Sequence, residues 1–152
     1  MKNVLKFIII LLPWFISGLL FKDVNNFYDS LNLPFFALPN YLYGIIWTIL
    51  YILIAISIYK IYQYYKSYEI KAYNKSLIIN YLFNQLYTFI LFRIQNLFLG
   101  FIDALLIFIT SLTLYDETKK LDEKASKYLI PYVFFSLFAV ILSLTIYFMN
   151  LN

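Results

Sequence analysis

The stretch FYDSLNLPFFALPNYLYGIIWTILY, Phe27 to Tyr51, begins as a polar-aromatic loop and ends inside an apolar segment. Pro34 and Pro39 brace the approach. Each ring fixes its own φ and pushes the residue before it toward extended geometry. The loop therefore meets the apolar run as a shaped object. Beyond Pro39 the chain can turn helical, and Trp47 and Tyr51 then fall four apart on one helix face. Phe27, Tyr28, Phe35, Phe36, Tyr41 and Tyr43 surround this entrance. Two readings are open. One is a belt of aromatic anchors where hydrocarbon meets headgroup. The other is a rigid aromatic lid over an aromatic shaft, which suits a flat apolar ligand.

The rest of the chain sets the solvent in which that choice is made. Of 152 residues, 63% are hydrophobic, and the mean hydropathy is +0.77. A soluble domain carries about 45–50% apolar residues. This chain has more apolar surface than a water-soluble core of its size can hide, so it is an integral membrane protein. Its length suits one helical bundle spanning the whole chain. Cys and His are absent. That removes disulfides, thiol nucleophiles, imidazole bases and the usual metal and haem-iron ligands. The basic balance does not point to nucleic acid, because the lysines flank apolar runs, where topology explains them.

A hydrocarbon core needs about 20 apolar residues as helix. Helices are expected over about Val4–Phe21, Tyr41–Tyr64, Ser76–Phe92, Leu99–Tyr115 and Tyr128–Met149, with Pro13 kinking the first. A cleaved signal peptide fits the first run poorly, since the bulky, charged Phe21-Lys22-Asp23-Val24 follows it. With five spans, Lys2, Lys6, Lys60, Lys66, Lys71, Lys75, Lys119, Lys120, Lys124 and Lys127 share one side. Only Lys22 and Arg93 fall on the other. The N-terminus is therefore expected in the cytoplasm, and the Pro34/Pro39 loop and C-terminus outside. Residue usage suggests an AT-rich, bacterial genome and hence the bacterial inner membrane.

Several polar residues inside these spans need a reason. Asn80 and Asn84 lie one turn apart, with Gln85 beside them. Unpaired amides are costly in hydrocarbon, so these either tie helices together or face a cavity. Asp103 is expected near the interface, paired with Arg93, in preference to a proton-carrying role. Gly100 and Ala104 permit close packing within the bundle or in a homodimer. Ser136, Ala139 and Ser143 form a small-residue face: a helix contact or a hollow.

In this order, these features resemble the TspO/MBR family, the tryptophan-rich sensory proteins that include the translocator protein or peripheral benzodiazepine receptor. The family writes roughly W-Y-x-x-L-x-x-P-x-W-x-P-P-x-W-x-x-G-x-x-W-x-x-L-Y. Tyr28, Leu31, Pro34, Pro39, Gly44, Trp47, Leu50 and Tyr51 match; Phe27, Phe36 and Tyr41 stand at family Trp positions, and Leu38 replaces a proline. Asn84 with Tyr87 resembles the family's N-x-x-W, and Gly100 to Leu106 its A-L-x-D-L-L-L. Pro131, Tyr132, Phe138 and Ala139 match its L-x-P-Y-x-x-W-x-x-F-A, with Phe135 in place of Trp.

The resemblance implies a five-helix fold with a long first loop and a pocket for porphyrins, other tetrapyrroles such as protoporphyrin IX, or benzodiazepine-type compounds. It also implies a part in sensing tetrapyrrole or stress state. The expected ligand-binding residues are Tyr28, Pro34, Phe36, Trp47, Tyr51, Asn84, Tyr87, Phe135, Phe138 and Ala139, with Asn84 orienting a polar ligand atom. No resident cofactor or metal is expected. The expected partners are the lipid bilayer, a hydrophobic small molecule and a second copy in a homodimer. Some bacterial members promote light-dependent porphyrin breakdown through Trp residues. With Phe27 and Phe135 at those positions, this activity is expected to be weak. The animal sterol motif needs Lys or Arg soon after Tyr, and only FMNLN follows Tyr147, so no such site is expected. A small transporter and a ligand-free structural subunit are the alternatives. The near-absence of ionisable residues in the spans, and of any internal repeat, weighs against transport.

Overall fold

The computed structural model describes residues 2–22 and 26–151. Asp23 and Val24, read above against signal cleavage, lie outside the described residues. Five helices are long and apolar enough to cross a membrane. The first, α1, comes in three pieces: an N-terminal helix Lys2–Leu11, a 3-10 turn Leu12–Phe15 and a C-terminal helix Ile16–Leu20. α2 is Asn40–Tyr64. α3 runs Lys71–Phe89 and passes into a π turn, Ile90–Ile94. α4 is Leu97–Leu121. α5 starts with a short helix Glu123–Ser126, passes a 3-10 turn Lys127–Leu129 and continues as Ile130–Met149.

The expected boundaries shift where polar residues extend a helix into water. α3 begins before Ser76, at Lys71, and buries Tyr73 in this extra turn. Asn74 anchors the same turn, donating to the Ser67 carbonyl at 2.7 Å and accepting from Tyr62 Oη at 2.6 Å. The charged segment after Asp116 is helical on both sides of Asp122, whose carboxylate caps the next helix by accepting from the Lys124 and Ala125 amides. The α3–α4 connection is short. Gln95 takes a left-handed φ of 55°, and Asn96 caps α4 by accepting from the Leu99 amide at 2.9 Å.

Pro13 does more than bend α1. It has no N–H to give, and the backbone around it falls out of the α-helical ladder. In hydrocarbon the freed groups must find partners. α3 supplies them. Tyr81 donates its hydroxyl to the Pro13 carbonyl at 3.1 Å. Gln85 accepts from the Ser17 amide at 2.9 Å and donates to the Trp14 carbonyl at 3.4 Å. One side-chain amide thus splices the broken backbone, and the two halves of α1 take different neighbours. The N-terminal half packs on α2, the C-terminal half on α3.

α4 packs along both α3 and α5. Small polar residues close these contacts: Ser111 and Ser136 share a hydrogen bond at 3.1 Å between α4 and α5. The main apolar core holds Trp14, Ile54, Ile61, Leu114, Leu129 and Tyr132. A smaller cluster beneath the first loop joins Tyr28 to Leu142 and Ile146. Asp103 departs from expectation. It is only 4% exposed, its Oδ2 has no hydrogen-bond partner, and no ion pair joins it to Arg93 among the described residues. Arg93 lies exposed on the π turn, whereas Asp103 shares the buried inner face of α4 with Gly100, Ala104 and Ile107.

Candidate functional site: an aromatic cavity beneath the first loop

Trp47 and Tyr51 stand on one face of α2, with ring centroids 5.5 Å apart. Phe135 of α5 meets Trp47 edge-on at 5.5 Å, and Phe138 follows Phe135 at the same distance. Trp14 and Phe15 of α1 close on Tyr51 from the other side, at 5.7 and 5.4 Å. Phe15, Trp47, Tyr51, Phe135 and Phe138 wall a cavity of about 540 Å³, with Trp14 in the core behind Tyr51. That volume lies within the ~300–1,000 Å³ usual for small-molecule sites.

The loop roofs it. Tyr28 sits in a 3-10 turn, is buried, and lines the cavity. Its hydroxyl shares a 2.9 Å hydrogen bond with that of Tyr43, whose oxygen also accepts from the Leu38 amide at 3.1 Å. Burial first, then the bond to Tyr43, holds the Tyr28 phenol well above the ordinary tyrosine range, so its hydroxyl stays protonated. The far end of the loop is latched to α5. Asn150 accepts from the Asn32 amide at 2.9 Å and donates to the Asn32 carbonyl at 3.0 Å, so its side chain pairs with the loop as a second backbone would.

Of the residues expected from sequence, Tyr28, Trp47, Tyr51, Asn84, Tyr87, Phe135, Phe138 and Ala139 line this one space. Pro34 and Phe36 do not. Pro34 is buried within the loop, where its carbonyl accepts from the Ala37 amide at 2.9 Å. Phe36 stands one layer out, 6.3 Å from Phe138. Phe35 is wholly exposed and takes no part. Both loop prolines shape the roof without touching the space under it.

Asn84 lines the cavity and also bonds within the protein. Its Oδ1 accepts from Tyr51 Oη at 2.9 Å, and its Nδ2 donates to Tyr132 Oη at 3.3 Å. Tyr132 donates onward to Asn80 Oδ1 at 3.0 Å, and Asn80 donates to Thr110 Oγ1 at 2.9 Å. This chain of bonds joins α2, α3, α5 and α4. It fixes the Tyr51 ring against the cavity and engages both ends of the Asn84 amide with protein. The small-residue face of α5 divides its labour. Ser136 ties helices together, while Ala139 and Ser143 border the hollow, Ser143 sharing a 3.0 Å bond with Tyr87 Oη.

Sequence reasoning missed the contribution of α1 and of the two residues that follow it. Phe15, Ser17, Gly18, Phe21 and Lys22 all line the cavity. Lys22 is the only charged side chain among the described residues that do so. No local signal marked them, because their position follows from the Gln85 splice.

A model of the TspO/MBR family matches residues 6–149. The chain belongs to the TspO/MBR family. It is 37% identical over 137 residues to the tryptophan-rich protein TspO of Bacillus cereus, covering 90% of this chain and 89% of that protein. An uncharacterized membrane protein of Bacillus subtilis, YtaB, is 37% identical over 135 residues, 89% of this chain and 87% of its own length. The tryptophan-rich protein TspO of Archaeoglobus fulgidus is 32% identical over 136 residues, 85% and 83% of the two chains. As a TspO/MBR protein, the chain is an integral membrane protein of five spanning helices. It nonetheless carries only two tryptophans, Trp14 and Trp47. Trp14 is buried in the main core and Trp47 lines the cavity.

Proposed function

We propose that this protein binds a flat, hydrophobic ligand of the tetrapyrrole class in the cavity beneath the first loop and serves in sensing or regulating tetrapyrrole or stress state. The observation that carries this reading is the aromatic lining: Trp47, Tyr51, Phe135 and Phe138 offer ring faces and edges to a planar guest. Membership of the TspO/MBR family supports it. Lys22 at the mouth favours a guest that carries a carboxylate at one edge. Without His or Cys, the chain lacks the usual haem-iron ligands, so recognition works through stacking on a metal-free porphyrin ring. A benzodiazepine-type compound, also flat and apolar, would use the same walls. Asn84 acts on the guest indirectly, by holding Tyr51.

The protein sits in the cytoplasmic membrane of a bacterial cell with its N-terminus inside, as its flanking lysines favour. A binding role in preference to conventional catalysis is supported by the lining, where no nucleophile is paired with a base among the described residues. The test is titration of purified protein with protoporphyrin IX, read by tryptophan quenching and by the shift of the porphyrin absorption band. Saturable binding is expected, weakened more than tenfold by Trp47→Ala and less by Trp47→Phe, which keeps a ring. A wild type that neither quenches nor shifts the band sinks the proposal.

A further inference from the structure

We propose that the cavity opens sideways into the bilayer, through a slot between the C-terminal half of α1 and the start of α2, and that its ligand arrives dissolved in lipid. The inference rests on the ligand-binding reading above and names the phase from which the ligand comes. α1 and α2 are zipped as far as the 3-10 turn of α1: Phe7 meets Tyr59 at 6.1 Å, and Phe15 meets Tyr51 at 5.4 Å. The same antiparallel register, continued, sets Gly18 across from Thr48 and Lys22 across from Gly44. There the zipper stops. The C-terminal half of α1 packs on α3, drawn there by Gln85, and leaves α2.

The space so opened joins the cavity. Gly18 and Leu19 on one side and Gly44 and Thr48 on the other line the cavity, and all four are exposed. A Cβ built at Gly18 or at Gly44 meets no neighbouring atom within 4 Å. The two glycines therefore form jambs, not a close helix contact. All four residues belong to the apolar spans, so the slot faces hydrocarbon. The Phe15–Tyr51 contact is its sill, and the loop carrying Tyr28 lies above. An apolar molecule concentrates in the bilayer and can pass from there to the aromatic walls without crossing water. The latched loop need not open.

The absence of native cysteine makes the route measurable. Ala139→Cys puts one thiol on the cavity wall. In proteoliposomes this thiol should react with N-pyrenylmaleimide dissolved in the lipid. Adding Gly18→Leu, Gly44→Leu, or both should slow that reaction, at least tenfold for the pair. Each substitution fills open space and removes a helix-weakening glycine, so the plugged proteins should fold. Asn150→Ala, which unlatches the loop, should leave the rate within twofold. Labelling indifferent to both plugs, or accelerated tenfold by Asn150→Ala, would overturn the slot and put the entrance at the loop. The labelling needs no bound ligand. Failure of protoporphyrin IX to bind would therefore count against the ligand, while slowed labelling in the plugged proteins would still support the slot.

Discussion

Tyr51 donates its hydroxyl to Asn84 Oδ1 at 2.9 Å, across 33 residues of chain. The bond joins α2 to α3 at the cavity wall and sets the angle of the ring that touches Trp14, Phe15 and Trp47. A polar group thereby becomes part of an apolar surface. The phenol gives its one proton to the amide, and the face it leaves toward the cavity is a ring.

Tyr51→Phe and Asn84→Ala should therefore act in parallel. Removing the phenol leaves a buried amide oxygen short of a donor, at about 0.6–2 kcal/mol. Asn84→Ala should cost more, because it also strips Tyr132 of a donor. Both should lower the unfolding temperature in detergent and weaken protoporphyrin IX binding by similar factors. If Asn84→Ala abolished binding while Tyr51→Phe left it intact, Asn84 would be bonding the ligand directly.

Lys22 carries the only charge among the described lining residues. Lys22→Gln should weaken binding of protoporphyrin IX roughly three- to fivefold, the ~0.5–1 kcal/mol of a solvent-exposed ion pair, and less so at high salt. The dimethyl ester of the porphyrin should bind both proteins alike. Equal losses for acid and ester would show that the stem of Lys22 acts by packing.

The reciprocal pairing of Asn150 with the Asn32 backbone holds the loop to the end of α5. Asn150→Ala should raise the rate of limited proteolysis within the loop about tenfold, which corresponds to ~1.4 kcal/mol in its opening equilibrium. The helices should keep their circular dichroism. An unchanged cleavage rate would mean that the Tyr28–Tyr43 pair alone secures the roof.

Light-driven porphyrin breakdown should be weak, since Trp47 is the only indole on the cavity wall and Phe135 stands where the family has Trp. Illuminated protoporphyrin IX should bleach slowly with wild type and at least severalfold faster with Phe135→Trp, which places a second indole beside Trp47. Trp47→Phe should remove what remains. Rapid conversion to a bilin-like product by wild type would contradict this.

The number of spans, the membrane as solvent and the placing of prolines in the first loop could all be read in the chain by itself. Each depends on residues that are neighbours in sequence: runs of apolar side chains long enough to cross hydrocarbon, and prolines that set their own φ. Trp47 and Tyr51 could be placed on one face for the same reason. The destination of each buried polar group could not. Gln85 and Asn84 are adjacent amides on α3, yet one splices the α1 backbone 68 and 71 residues away and the other steadies a tyrosine on α2. Asp103 stands apart from Arg93, buried on the inner face of α4. Hydrophobicity has no direction and can be summed along a segment. A hydrogen bond in hydrocarbon needs a particular partner at a particular angle, and only the packed bundle decides which partner comes within reach.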